Sequence, residues 1–165
     1  MIELAIDSVQ VSLISNQRVV LLREQDADRY LPIWIGPFEA EAIALELGGA
    51  SIARPQTHDL LRNVIQELGG RVSYILINDL SSNTFYARIV MEINGEITDI
   101  DSRPSDAIAL AVRFKAPVFV SEEVMERAAI TESPEVGSRS VPEEQQQDTD
   151  DLGAFGAFVD SLDLD

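Results

Sequence analysis

The strongest constraint on the fold is an order of elements that occurs twice along the chain. Residues 9–47 have the pattern of three strands followed by a helix, and residues 72–114 repeat that pattern. The tetrapeptide Ala-Ile-Ala-Leu stands at 42–45 and again at 107–110, in the helix of each half. One such match arises easily by chance, but the shared order around it favours a duplication. Neither half buries the apolar side of its strands alone, so the halves must pack together.

The apolar spacing predicts an internally duplicated α+β fold in which mixed and antiparallel sheets pack against helices. Strands are predicted at 2–14, 19–23, 30–35, 72–80, 85–93, 96–101 and 118–120. Helices are predicted at 38–47, after Thr57 as N-cap, at 104–114, and after Ser121 as N-cap. In the second helix, one face comprises the apolar residues Leu60, Leu61, Val64, Ile65 and Leu68. In the third strand, Trp34 is predicted to lie in the core or an interface.

The charge is strongly negative and unevenly placed. The net charge is −17, and residues 131–165 carry ten acids against Arg139, which is about half of the excess. Such a chain has no general electrostatic attraction for nucleic acid or an anionic membrane. Binding of any polyanion would therefore need a local group of arginines, a metal ion, or both.

Residues 131–165 are predicted to be an acidic tail outside a core domain at 1–130. Leu152, Phe155, Phe158, Val159 and Leu162 recur at helical spacing and predict a short amphipathic helix at 152–162. That helix would dock on its own core or on a neighbouring subunit. Alternatively, it would bind another protein.

Several classes of protein are disfavoured. The chain has no cysteine, no pattern of a signal peptide at its start and no apolar run of the roughly 18 residues that span a bilayer, so we expect a cytoplasmic protein without membrane contact. Nucleotide-binding glycine loops and the nucleophile elbow of hydrolases are missing. A single histidine excludes a multi-histidine metal site within one chain.

Two segments place an Arg-Pro pair directly before a predicted helix. One runs from Arg54 to Asp59 and the other from Asp99 to Asp106. Backbone N–H groups at a helix start, with an arginine, can hold a phosphate or carboxylate. In the alternative interpretation, the Asp caps its helix and the Arg pairs with it locally.

These segments supply the candidate site residues. The candidate catalytic residues are His58, Asp59, Asp101 and Asp106, with His58 as general acid or base. The candidate substrate-binding residues are Arg54, Thr57, Arg103 and Ser105. The candidate ligands of a divalent Mg²⁺ or Mn²⁺ ion are Asp99, Asp101 and Asp106, with Glu39 and Glu41 as further candidates. A solvated strand edge, an ordinary helix cap and an exposed helix face would explain the same carboxylates.

Several segments of the chain resemble one known family. Tyr30 to Gly36 followed by Glu39 to Ala44 is similar to the first signature of the bifunctional nuclease domain family, and Arg54-Pro55 with Thr57 to Leu60 resembles the second. Further similar segments are Phe85 to Ala87, Asp101 to Ala111, and Ala116 to Val120. The resemblance covers about residues 1–130. It implies an α+β fold with an internal repeat, a homo-oligomer (a dimer or larger), and nuclease activity on DNA and RNA, but it supplies no catalytic residues.

Two functions follow as hypotheses. The first is a metal-dependent nuclease that hydrolyses phosphodiester bonds of DNA or RNA. The second is a non-catalytic oligomeric regulatory or adaptor module that binds a small anion at the Arg-Pro helix starts and docks a partner through its tail. The asymmetry between the halves points to the second copy, where Asp99 to Asp106 replaces the apolar approach to the first helix.

Overall fold

The computed structural model describes residues 1–12 and 17–131. The end of the first predicted strand lies outside these residues. So do the acidic tail beyond Thr131 and the predicted helix at 152–162.

Within the described residues, seven strands and four helices follow one another. The strands are β1 (Ile2–Val11), β2 (Arg18–Glu24), β3 (Tyr30–Ile35), β4 (Gly70–Ser81), β5 (Thr84–Ile93), β6 (Glu96–Ser102) and β7 (Val118–Val120). The helices are α1 (Pro37–Leu47), α2 (Thr57–Glu67), α3 (Pro104–Phe114) and α4 (Glu122–Ala128). The predicted bounds of β3, β7 and α3 are confirmed, while β1 ends earlier than predicted. None of these four helices has the length and apolar character needed to cross a bilayer.

All seven strands form one mixed sheet, in the order β3-β2-β1-β7-β4-β5-β6. The antiparallel meander β1-β2-β3 lies on one side of β7, and the antiparallel meander β4-β5-β6 lies on the other. Strand β7 is antiparallel to β1 but parallel to β4, so the two meanders run in opposite directions. The duplicated unit predicted from the sequence is therefore confirmed as a pseudo-twofold sheet with β7 near its axis.

The helix α3 lies at the centre of the helical layer and contacts both α1 and α2. Residues 107–111 of α3 are at most 1% exposed, and three of these five residues are alanine, which lets neighbouring helices approach closely. Beneath them lie apolar side chains of the sheet, which alternate along their strands as half-buried strands require. Those that are 0% exposed include Val20, Leu22, Leu31, Ile75, Ile77, Ala87 and Val120.

The structural register of the duplication differs from the one that the tetrapeptide suggested. When α1 and α3 are matched from their first residues, Pro37 corresponds to Pro104 and Glu39 to Asp106, an offset of 67. The two Ala-Ile-Ala-Leu segments are offset by 65 and thus lie two positions out of register. The residues that correspond in the structure are therefore the proline and the acid in the first turn of each helix. The repeated tetrapeptide reflects the alanine-rich packing of both helices.

One local prediction, Thr57 as the N-cap of α2, was wrong. The N-cap of α2 is Gln56, whose N–H donates to Asp59 Oδ2 at 2.9 Å, and Thr57 is the first helical residue. Of the predicted apolar face of α2, Ile65 is buried, whereas Leu60, Leu61, Val64 and Leu68 are 41–65% exposed. Trp34, predicted in the core or an interface, is 59% exposed on the edge strand β3, so it lies outside the core and the interface stays a prediction.

Candidate functional site

Three helix starts converge on one side of the molecule. Glu39 is in the first turn of α1, His58 is in the first turn of α2, and Arg103 and Asp106 belong to the start of α3. These four residues contact one another through side chains and are called the helix-start cluster here. The first N–H groups of a helix carry partial positive charge, so the cluster lies where three such ends meet.

Arg103 is the centre of the cluster. Its Nε donates to Asp106 Oδ2 at 2.6 Å, and its Nη2 donates to Asp106 Oδ1 at 3.0 Å, which makes the contact bidentate. The same Nη2 donates to Glu39 Oε1 at 2.9 Å. The hydrogen bond to Asp106 is the main reason that the pKa of Arg103 is raised. Its side chain is nevertheless 66% exposed, so the guanidinium faces both the two carboxylates and solvent.

His58 is held against the other side of Asp106. The distance between His58 Nε2 and Asp106 Oδ1 is 3.1 Å, and the histidine is buried. Burial by itself raises the pKa of Asp106, but hydrogen bonds from Arg103 and His58 outweigh it and hold that pKa below its usual value. An ionised Asp106 accepts hydrogen bonds only, so Nε2 of His58 carries a proton and Nδ1 is the proton acceptor of the neutral ring.

The two copies of the duplicated unit differ at the N-cap residue of their helix. Gly36 is the N-cap of α1, and at the corresponding position of α3 the N-cap is Arg103. The acids Glu39 and Asp106 correspond to each other, and both accept from the one arginine. A Cβ at position 36 would collide with Glu39 Oε2. Gly36 therefore leaves room for Glu39 to fold back over the start of its helix and reach Arg103.

Asp59 has a different role from the one predicted. Its Oδ1 accepts from Arg113 Nε at 2.7 Å, and Arg113 Nη1 donates to the carbonyl oxygens of Ala42 and Ala109. The side chain of Arg113 is 0% exposed. This buried arginine ties α1 and α2 to α3 directly behind the cluster, so the contacts of Asp59 serve to position the helices. One weak sequence signal pointed to Arg113, which is the one basic residue of α3 and stands in its last turn.

A cavity of about 510 Å³ opens beside the cluster. Its volume lies within the range of ligand sites. Its lining includes Glu41, Pro55 and Thr57 besides the helix-start cluster. Phe38, which is 79% exposed, also lines the cavity. The structure thus brings together His58, Arg103, Asp106 and Thr57 of the predicted site residues.

The other predicted site residues lie elsewhere. Arg54 is exposed and is not part of the lining of this cavity. Ser105 is buried and lines a second cavity. On the edge strand β6, Asp99 Oδ2 lies 3.6 Å from Arg88 Nη1, and the exposed Asp101 pairs in register with Arg88.

The predicted metal ligands do not fit a metal centre. Among residues 1–12 and 17–131, no three His, Cys, Asp or Glu side chains are grouped so as to hold an ion. Both oxygens of Asp106 already accept from Arg103, and Asp99 is paired with Arg88. A carboxylate that is neutralised in this way is a poor start for an oxygen-ligand site, which needs several free carboxylates.

Comparison with known proteins places this geometry in a family. A family model described as the bifunctional nuclease domain matches residues 20–133. This chain belongs to the bifunctional nuclease domain family. The match runs from β2 to α4 and so includes the whole helix-start cluster.

The relatives differ in how much of their length is shared. An uncharacterized protein of Mycobacterium tuberculosis is 40% identical over 166 residues, which is 99% of this chain and 96% of that protein. Bifunctional nuclease 1 of Oryza sativa subsp. japonica is 27% identical over 112 residues, or 66% of this chain and 34% of the rice protein. Bifunctional nuclease 2 of Arabidopsis thaliana is 26% identical over 110 residues, or 65% of this chain and 33% of its own length.

Proposed function

We propose that this domain hydrolyses phosphodiester bonds of DNA or RNA in the cavity at the helix-start cluster. The observation that carries the proposal is the contact of His58 with Asp106, which is itself held by Arg103. A base, a carboxylate that orients it and a cation for the phosphate are then within one hydrogen-bonded group. The family supports this reaction class.

In the proposed mechanism, His58 acts on the attacking water. Asp106 fixes the ring through Nε2, so Nδ1 takes the proton as the water attacks phosphorus, and the resulting imidazolium is stabilised by the ionised carboxylate. The leaving oxygen then recovers a proton from the imidazolium. Arg103 and the N–H groups of the helix starts face the charge that develops on the phosphoryl oxygens. Glu39 competes with the phosphate for Arg103, which keeps affinity low.

A divalent ion stays a separate prediction from the sequence. Because the described residues gather no set of three ligands, the steps above use the side chains of the chain only. We expect Asp99→Asn and Asp101→Asn to retain activity with Mg²⁺ or Mn²⁺, since neither residue lies in the cluster. A large loss in either variant would restore the β6 carboxylates as metal ligands.

The proposal is tested with purified full-length protein on labelled single- and double-stranded DNA and RNA, with each divalent ion and with EDTA. General acid–base catalysis contributes about 10²- to 10⁴-fold, so His58→Ala and Asp106→Asn should each lose at least about 100-fold in kcat. Glu24→Gln is the matched control, an acid paired with Arg29 outside the cavity. Rates equal to the wild-type rate in all three variants would assign the activity to a contaminant.

The regulatory module remains the second candidate, and the convergence of three helix starts is the observation that favours it. Such a site would bind inorganic phosphate without any cleavage. Calorimetric titration with phosphate, run beside the cleavage assay, separates the two candidates. Phosphate binding that is lost in Arg103→Ala, together with intact substrates in every assay, would favour the binding module.

A further inference from the structure

A second cavity, of about 370 Å³, opens on the other side of Arg103. Strand β3 contributes Trp34, the beginning of β5 contributes Phe85, and the start of α3 contributes Arg103 and the buried Ser105. Arg18 of β2 also lines it. The proposed reaction uses none of these residues except Arg103, so the cavity has no role in it yet.

The exposed aromatic residue of this cavity is Trp34, whereas Phe85 is partly buried against the core. Trp34 is 59% exposed although it is the largest side chain of the edge strand. Among the described residues, the aromatic ring pair in contact is Tyr74 with Phe119, so neither Trp34 nor Phe85 stacks on another ring. A partly apolar floor is supplied by Ile33 and Ile35. Exposed aromatic faces beside guanidinium groups are the chemistry that binds a flat ring carrying a phosphate.

Arg103 lines both cavities. The guanidinium of Arg103 contacts the carboxylates of Glu39 and Asp106 in the helix-start cluster. Arg103 also lines the second cavity, which Trp34 lines as well. A phosphate held at Arg103 for hydrolysis would therefore have the neighbouring nucleoside beside Trp34. The two cavities thus place a candidate phosphate contact and an exposed aromatic residue on either side of one arginine.

We infer that the Trp34 cavity binds an unpaired nucleobase adjacent to the scissile phosphate, so that the substrate is single-stranded nucleic acid or a frayed end. This inference rests on the proposed function for the meaning of "scissile", although base binding is measurable without cleavage. A base within a duplex has both faces covered by its neighbours and must leave the stack before an indole can cover one of them. Stacking is tolerant of sequence, because every base has a π face.

Trp34 is the one tryptophan of the chain, so its fluorescence reports directly on the cavity. The full-length protein is titrated with an oligothymidylate, with an abasic oligonucleotide of equal phosphate number and with a duplex. His58→Ala is titrated in the same way, so that cleavage does not disturb the readout. We expect quenching by the oligothymidylate and little by the abasic strand or the duplex.

Affinity is measured independently by anisotropy of a labelled oligothymidylate. Stacking of one base on an aromatic side chain corresponds to about 5- to 150-fold in Kd, so Trp34→Ala should weaken binding within that range while Trp34→Phe retains most of it. Binding of the abasic strand should be the same in all of these proteins. Tyr86→Ala is the matched control, a 41% exposed aromatic residue next to Phe85 that is not part of the lining of this cavity.

Two outcomes overturn the base site. One is unchanged binding of oligothymidylate in Trp34→Ala, and the other is equal quenching by the abasic strand. Quenching without any hydrolysis by wild-type protein would support the base site while rejecting the proposed nuclease. Hydrolysis without quenching, and with equal rates on single strands and duplexes, would reject the base site alone.

Discussion

At the scale of single residues, the site depends on a glycine that carries no functional group. The backbone of Gly36 has φ −71° and ψ 159°, which alanine adopts without strain, yet its Cβ would meet Glu39 Oε2. Gly36→Ala should therefore fold normally and push Glu39 away from Arg103. Exposed ion pairs are worth about 0.2–1 kcal/mol, so losing this one should lower KM by up to about fivefold through a freer guanidinium.

Glu39→Gln provides the matched comparison, since it weakens the same ion pair without any steric change. Steady-state kinetics on a single-stranded substrate should give the same direction of change in KM for both variants. If Gly36→Ala lowers kcat while Glu39→Gln does not, the glycine acts on the backbone of α1 and not through Glu39.

The carboxyl groups of Asp59 and Asp106 predict how stability depends on pH. Burial raises the pKa of Asp59, but hydrogen bonds from the Gln56 N–H and from Arg113 outweigh it, so the pKa of each acid is lower in the folded chain. Such a group stabilises the fold above its unfolded pKa, near 4, and this contribution is lost as pH falls through the folded pKa. The free energy of unfolding should therefore fall below about pH 4.

Asp106→Asn isolates one of these contributions, because it removes a titrating group and keeps the shape of the side chain. Urea denaturation at several pH values from neutral to acidic should show a shallower fall for the variant than for the wild type. Parallel curves would mean that Asp106 has the same pKa in the folded and unfolded chains.

At the scale of elements, the three helices around the site are joined by one buried ion pair. Arg113 bonds to Asp59 on α2 and to a carbonyl oxygen of α1 from its place on α3. Removing one partner of a buried pair leaves the other charge uncompensated, which costs about 3–5 kcal/mol. We expect Arg113→Ala to lower the free energy of unfolding by this amount in urea denaturation. Arg127→Ala, which removes a half-exposed surface pair with Glu123, should change it by less than about 1 kcal/mol.

The helix α2 is also where the expected homo-oligomer is best tested. Leu60, Val64 and Leu68 are 59%, 44% and 65% exposed and lie one turn apart, which makes an apolar stripe. We predict that a second copy of the chain covers this stripe. Light scattering should show the Leu60→Glu/Val64→Glu double variant at a smaller mass than the wild type, with unchanged circular dichroism. Asp28 and Gln25, in an exposed turn, are sites for control substitutions to lysine that should leave the mass unchanged.

These elements also show what the sequence could predict. Strand alternation and the prolines at 37 and 104 were enough for the α+β class, the duplicated unit and most bounds. The outward face of α2 could not be predicted, because an apolar stripe has the same sequence pattern whether it meets its own core or another chain. His58, Arg103 and Asp106 were found because charges at helix starts are a local signal. Their contact with Glu39, and the buried role of Arg113, depend on how distant helices pack.

At the scale of the whole molecule, the net charge of −17 opposes binding of a polyanion. A small number of cationic side chains at the site favours that binding. Long-range repulsion extends over a Debye length of about 30 Å at 0.01 M salt and about 10 Å at 0.1 M, so added salt should first strengthen binding. Above that concentration, salt should weaken the local contacts. With about one or two phosphates of a single strand held by Arg103 and Arg18, the slope of log K against log salt should be only about −0.7 to −1.4.

Anisotropy of a labelled single strand between 10 mM and 500 mM salt, with His58→Ala to prevent cleavage, measures both regimes. A maximum at intermediate salt with a shallow decline is the expected curve, and Arg103→Ala should flatten the decline by about 0.7 in slope, because each phosphate contact of a single strand contributes about 0.7. A steep monotonic decline would instead require an extended basic surface. Such a surface would place the substrate path away from the helix starts. A flatter decline in Arg103→Ala would instead place that path at Arg103, which lines both cavities.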